Sequence, residues 1–122
     1  LIIQYFLIME NTTKLKGYRP ETAHGGTCKV WLNGRVLSHA KSLKHVSHSP
    51  DGFNWGYGGS GPAQLAYAIC HELYGKDVAR KIYQDFKWRF LVAIEDDSFD
   101  LVLDLAEFNA VHVLPLLDEV PA

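Results

Sequence analysis

Cysteine is scarce in this chain: Cys28 and Cys70 are the two among 122 residues. Two thiols cannot form the disulfide framework of a small secreted domain, so the expected setting is reducing and cytoplasmic. A long apolar run is missing at the start as well. The opening LIIQYFLI is apolar over eight residues, far short of the roughly 20 that a membrane-spanning helix needs. It also lacks the basic start and small-residue cleavage site of a signal peptide. Two readings of it stand side by side. Either the natural start is Met9, where MENTTK reads as an ordinary polar N-terminus, or Ile2–Ile8 is an extra edge strand that pairs within the fold or across a homodimer. Residues 1–8 are thus set apart as an extension and 9–122 as a single domain. Basic residues are absent from 95–122, which hold eight Asp and Glu, and the formal net charge is −2. That balance excludes a globally basic nucleic-acid binder, and direct nucleic-acid binding is not expected. Repeats and low-complexity linkers are absent too, and 122 residues suffice for one domain that folds without staples.

What is present reads as an ordinary globule, 48% hydrophobic and 21% charged. KLKGYR is a short strand candidate. TCKVWLNGRVL holds two β-favouring runs around Asn33-Gly34, a strong hairpin signal. Residues 38–52 are polar, end in Ser-Pro-Asp-Gly, and read as a loop with a short extended piece around Leu43–Val46. A helix begins with Pro62 at its first position, Gln64 reaching back to the cap, and Leu65, Ile69 and Leu73 forming one apolar stripe. Gly75 closes it. Asp77 caps a second helix, in which Ala79, Ile82, Tyr83, Phe86, Phe90 and Ala93 share a face. Phe99–Leu103 alternates as a strand. Asp104 and Glu107 form a capping-box-like start of a last helix, Leu105–Val113, which Pro115 stops. The order predicts an α+β fold: a small antiparallel sheet, made of the N-terminal hairpin and a late strand, packed on two main helices and a short C-terminal one.

The stretch NWGYGGSGPAQLA, residues 54–66, carries four glycines within six positions just before a helix. Gly56 to Gly61 match G-x-G-x-x-G, but the preceding GFNW is too short and polar for a dinucleotide-fold strand, and the helix leads into another helix. No Gly-Lys-Ser/Thr follows, which rules out a P-loop. A nucleophile elbow would need glycine where Pro62 stands. Two readings remain. One is a structural turn passing close to Phe53, Trp55 and Tyr57. The other is an anion site, in which backbone amides at a helix start and the positive end of its dipole greet a phosphate or carboxylate. In the second reading Gly58, Gly59 and Ser60 supply donors, Trp55 or Tyr57 a stacking surface, and His48, Gln64 and Lys87 polar contacts. No metal and no cofactor is expected. His45-x-x-His48 and Cys70-His71 lack the paired knuckles of a structural zinc site. His71 and His112 read as helix-surface or interface residues, and His24 and His39 as solvated loop residues. Arg80, Lys81, Lys87 and Arg89, which flank Trp88, read as a solvated face whose aliphatic stems cover apolar neighbours.

HSPDGFNWGYGGSGPAQLAYAI, followed by YQDFKWRFLVAI, resembles a small domain family of unknown function found in bacteria, archaea and phages. The resemblance covers about residues 17–114. It includes His48, Ser49, Pro50, Gly52, Phe53, Trp55, Gly56, Tyr57, Gly58 to Pro62, Gln64, Tyr83, Gln84, Phe86 and Lys87. Phe99 stands where a tryptophan often precedes the last strand, and Asp104 where a polar cap often precedes the last helix. The resemblance implies a fold, not a reaction. Its phage members imply a part in virus–host conflict. Two functions are therefore expected. The first is a non-enzymatic binding protein holding a small anionic or nucleotide ligand at the glycine loop. The alternative is a phage-encoded inhibitor of a host defence protein, meeting a basic surface through Asp96, Asp97, Asp100, Asp104 and Glu107.

Overall fold

A computed structural model describes residues 11–21 and 28–118. The alternatives raised for residues 1–9 lie outside them, as does His24. Strand β1 (Thr12–Tyr18) alternates cleanly: Thr13, Leu15 and Gly17 point inward and Thr12, Lys14, Lys16 and Tyr18 outward. It starts two residues before the predicted KLKGYR. Strands β2 (Lys29–Leu32) and β3 (Arg35–Val36) flank the predicted turn. Asn33 and Gly34 both take positive φ, 50° and 83°, as the two central residues of a type I′ hairpin must. Asn33 also ties the turn to the sheet. Its amide donates to the Lys14 carbonyl at 2.9 Å and its Oδ1 accepts from the Lys14 amide at 2.9 Å.

Strand β4 (Ser98–Asp104) pairs antiparallel with β1 over its whole length, giving the sheet order β3-β2-β1-β4. Gly17 lies opposite Phe99. A Cβ on Gly17 would stand 2.3 Å from the Phe99 ring, so the missing side chain is what lets the ring lie across the strand.

Four departures from the sequence reading have local causes. The polar stretch after the hairpin is helical: α1 (His39–Leu43) is capped by Ser38, whose side chain accepts from the Lys41 amide at 3.1 Å. His39 is therefore not a solvated loop residue. Its ring meets Phe53 edge-on at 5.2 Å and its Nε2 lies 2.7 Å from the Ser49 carbonyl. Next, α2 (Ser60–Tyr74) starts before Pro62, with Gly59 as N-cap, and buries ten consecutive residues, Gly61 to Cys70. It is a central helix rather than a striped one, with Leu65 and Ile69 fully buried and Leu73 at its margin.

The third departure concerns the join. Gly75 (φ 83°) ends α2 and caps α3 (Lys76–Phe86), which leaves Asp77 in the first turn instead of at the cap. The predicted face of α3 holds for Ala79, Ile82, Phe86 and Phe90. A π-helical turn (Lys87–Leu91), marked by the Val92 amide donating to the Lys87 carbonyl, then shifts the phase. Leu91 and Ile94 become buried and Ala93 faces solvent.

Fourth, the C-terminal helix does not stop at Pro115. It runs as α4 (Ala106–Phe108), a second π turn (Asn109–Val113) and α5 (Leu114–Asp118). Pro115 is the second residue of α5, directly after the π turn, so the helix passes through it without the bond that its missing N–H would have made. Asp104 supports the start of α4 by accepting from the Ala106 amide at 3.0 Å.

The architecture is the predicted α+β one, with a four-stranded antiparallel sheet and helices joined in one apolar core. Leu15, Val30, Leu32, Phe99 and Leu103 of the sheet pack with Leu65, Ile69, Ile82, Phe86 and Phe108 of the helices. No helix among the described residues is long and apolar enough to cross a membrane.

Candidate functional site

The glycine loop runs from the sheet edge to α2, and three devices hold it. Arg19, just past β1, grips its start. The Arg19 Nε donates to Asp97 Oδ1 at 3.0 Å, and Nη1 donates to Asn54 Oδ1 and, at 3.2 Å, to the Trp55 carbonyl. The guanidinium carbon also lies 5.0 Å from the centre of the Trp55 ring. Gly56 is gripped by Leu91, the last residue of the π turn. Its amide donates to the Leu91 carbonyl at 3.0 Å, its φ is +88°, and a Cβ there would stand 2.7 Å from the Ile94 carbonyl oxygen. Both the backbone conformation and the space demand glycine at this position. The π turn grips Gly58. A Cβ on Gly58 would stand 2.5 Å from the Trp88 ring, and the Gly58 carbonyl accepts from Lys87 Nζ at 3.0 Å.

The loop's hydrogen bonding is lopsided. Two of its carbonyls find partners, Gly58 from Lys87 and Gly59 from the Ala63 amide that opens α2, while those of Gly56 and Tyr57 make no hydrogen bond among the described residues. The amides of Tyr57, Gly58, Gly59, Ser60 and Gly61 make no hydrogen bond among the described residues. Tyr57, Gly58 and Ser60 are exposed, Gly59 is half-buried and Gly61 is buried, so the first of these amides lie at the surface at the N-terminal end of a 15-residue helix, where the dipole is positive. Lys87 is 6% exposed, yet it has no carboxylate partner among the described residues. Its ammonium has the Gly58 carbonyl and the face of Trp88, 4.7 Å from the ring centre. Two aromatic rings border the loop: Tyr57, 46% exposed, against Gly59, and Trp88, 61% exposed, against Gly58.

The expected ligand residues divide into two groups. Tyr57, Gly58, Gly59, Ser60 and Lys87 come together at this surface. Trp55 does not: it is fully buried, meets Phe99 edge-on at 4.9 Å, and donates its indole N–H to the Asp96 carbonyl at 2.9 Å. It is core and offers no stacking face to a ligand.

Gln64 does not cap its helix or face solvent either. Fully buried, it accepts from the His48 and Ser49 amides at 2.8 and 3.2 Å, and donates to Ser42 Oγ at 2.8 Å and the Val46 carbonyl at 3.0 Å. Every hydrogen-bonding position of the amide is occupied within the protein. His48 is exposed, and its Nε2 lies 2.7 Å from the Tyr83 hydroxyl, one helical turn before Lys87. Lys87 also corrects the picture of α3 as a solvated basic face, since only Arg80, Lys81 and Arg89 of that set are exposed.

Trp88, Arg19 and Asn54 are site residues that motif reading passed over. The one visible signal was Trp88 standing beside Lys87 in a basic helix.

The histidines do not converge on a metal. His45 stacks on His71, ring centres 4.8 Å apart, while His48 turns to Tyr83. No group of three or more His, Cys, Asp or Glu among the described residues could hold a metal ion. The pKa of His45 is pushed down, first by desolvation and then by His71, Lys76, Arg80 and Lys41 around it. Burial raises the thiol pKa of both Cys28 and Cys70, which are unpaired. Of the acidic residues, Asp96, Asp97, Asp100, Asp104 and Glu107 are all exposed. Asp97 is engaged by Arg19 and Asp104 by the start of α4.

No curated protein and no solved structure matches this chain. A family model does, over residues 15–112, and with most of its length so covered the chain belongs to DUF6166, a family of unknown function.

Proposed function

We propose that this protein is a non-enzymatic binding module that holds a small anion at the entry to α2, with nucleotides and nucleotide-like signalling molecules as the ligand class. Lys87 carries the reading. Burying an ammonium costs several kcal/mol unless an opposite charge or full hydrogen bonding offsets it, and here one carbonyl and one ring face it. A phosphate on the neighbouring free amides would complete the pairing, with the helix dipole adding to the attraction. Ser60 is a further exposed donor, and Tyr57 and Trp88 offer the rings on which a base would lie.

The test is thermal melting with inorganic phosphate and a panel of nucleotides. At least one ligand raises the melting temperature of the wild type, and Lys87→Met abolishes the rise. A wild type that shifts with none of them sinks the proposal.

A second reading is favoured by Asp96, Asp100 and Glu107, which are exposed and make no ion pair among the described residues. In it the protein is an inhibitor, phage-encoded as the family's range implies, that covers a basic surface on a host defence protein. Charge reversal at Asp96 and Asp100 releases such a partner in a pull-down. Capture that is indifferent to both reversals counts against it.

A further inference from the structure

Among the described residues the core packs against one face of the sheet. On the other, Tyr18, Val36 and Val102 are 49%, 70% and 66% exposed. The register sets a pattern across β1 and β2: Lys16 lies opposite Trp31 and Tyr18 opposite Lys29. Two rings therefore occupy one diagonal of the ladder and two lysines the other. Diagonal neighbours on one face lie about 7–8 Å apart. Lys16 Nζ stands 5.4 Å from the centre of the Trp31 ring, and Lys14 extends the lysine row along β1. Between the rings runs a groove of ≈ 460 Å³ lined by Lys16, Gly17, Tyr18, Trp31, Phe99 and Asp100, within the range of about 300–1,000 Å³ usual for ligand clefts.

We infer that this outer face binds single-stranded nucleic acid, with two unpaired bases stacking on Tyr18 and Trp31 and the phosphates between them held by Lys14, Lys16 and Lys29. The chemistry favours this occupant over a protein. An apolar partner surface needs a contiguous apolar patch, and here each ring is interrupted by an ammonium. A strand that alternates flat apolar bases with anions matches that alternation. A duplex is disfavoured, because stacking needs bases free of their pairing partners. On β4, Asp104 lies opposite Thr12 and Asp100 directly opposite Lys16, so Asp100 weakens the pull of Lys16 on phosphate and the stronger cationic positions are Lys14, opposite Val102, and Lys29, opposite Tyr18. The chain's overall charge of −2 does not bear on a patch this local, since its excess of acid lies in residues 95–122.

Fluorescence anisotropy of labelled ten-nucleotide oligo(dT) and oligo(U), titrated with the full chain at about 50 mM salt, tests the inference. Both oligomers bind if stacking and charge suffice, and a preference for the RNA marks contacts to the 2′-hydroxyl. Tyr18→Ala and Trp31→Ala each weaken binding roughly tenfold. Because Tyr18 is half exposed, its variant keeps the fold. With three phosphate contacts, the slope of log K against log salt is about −2. Lys87→Met binds the oligomers like the wild type, which separates this surface from the glycine loop. Absence of binding, binding undiminished in Tyr18→Ala, or a salt slope near zero overturns the inference. So does self-association in sedimentation that Tyr18→Ala abolishes, since a second copy would then occupy the face.

Discussion

Replacing Gln64 with leucine separates a structural from a ligand-binding role for that residue. Leucine is close to glutamine in size, so the substitution opens little cavity and its effect comes from hydrogen bonds. Four are lost. Ser42 Oγ keeps its bond to the His39 carbonyl at 2.7 Å, so losing the Gln64 donor costs it little. The His48 and Ser49 amides and the Val46 carbonyl have no such second partner among the described residues, and all three lie in part-buried bonds. At about 1–1.3 kcal/mol for each stranded group the loss is about 3–4 kcal/mol. Added apolar burial returns about 1 kcal/mol of it. The net destabilisation is then about 2–3 kcal/mol, which lowers the urea midpoint by about 1–2 M at slopes typical of small domains. The loop 44–49 also loses its anchor to α2, so hydrogen exchange of the His48 and Ser49 amides accelerates strongly. Paired urea titrations and exchange on wild type and Gln64→Leu give the answer. A variant as stable as the wild type, with slow exchange at 48 and 49, would refute the argument that Gln64 acts as an internal clamp.

Gly58→Ala places a methyl 2.5 Å from the Trp88 ring and costs about 1–2 kcal/mol by thermal melting. Because Trp88 is mostly exposed, Trp88→Ala relieves the clash, and the double variant is more stable than the sum of the single effects requires. Lys87→Met removes a buried charge that has no carboxylate partner among the described residues, so the unliganded variant melts at or above the wild-type temperature; a loss of more than about 2 kcal/mol would mean the ammonium is already well paired. His45 has its pKa lowered on folding, by desolvation first. The unfolded chain therefore binds the extra proton more readily, and stability contributed at neutral pH falls as pH drops below the ordinary value of 6.5. His45→Gln flattens the pH dependence of the denaturation midpoint between about pH 5 and 7, and an unchanged slope counts against the assignment.

Much of the fold could be read from local chemistry. Asn33-Gly34 is readable because few residue pairs accept two consecutive positive φ values, and β4 because Phe99 and Leu103 alternate with Asp100, Val102 and Asp104. What escaped was set by distant parts of the chain. Helix α1 is five residues long, too short to persist alone. One of its supports is Gln64, 22 residues from Ser42. The π turns have no compositional signature. Adjacent buried pairs, Phe90 with Leu91 at the first turn and Phe108 with Asn109 at the second, mark the slip of phase that an inserted residue produces. For the site, the glycines marked the place but not the reason. Trp55 and Tyr57 stand two apart in the sequence, yet one is sealed in the core and the other lies half open, because Arg19 and Asp96 claim the first.

The π turn after α3 and the state of the glycine loop are linked. A regular helix would keep its backbone carbonyls within its own ladder. The wider turn, and the helix end that follows it, leave the Leu91 carbonyl able to accept from Gly56 as well as, weakly at 3.4 Å, from Ile94. The same turn begins with Lys87 and Trp88, which take the Gly58 carbonyl and cover Gly58 itself. One five-residue segment thus holds the loop at two points, by one amide and one carbonyl. Between and beyond those points the carbonyl of Gly59 is consumed by α2, while the amides from Tyr57 to Gly61 find no acceptor among the described residues. Successive amides without internal acceptors at a helix start make a locally electropositive surface even without a charged side chain. Placing a buried lysine against it adds to that field instead of cancelling it. A turn selected for stability alone would be expected to pair that lysine with an acid, and the chain has acids to spare in residues 95–122. Among the described residues no carboxylate reaches Lys87, which supports the proposal that its counter-charge comes from outside the protein.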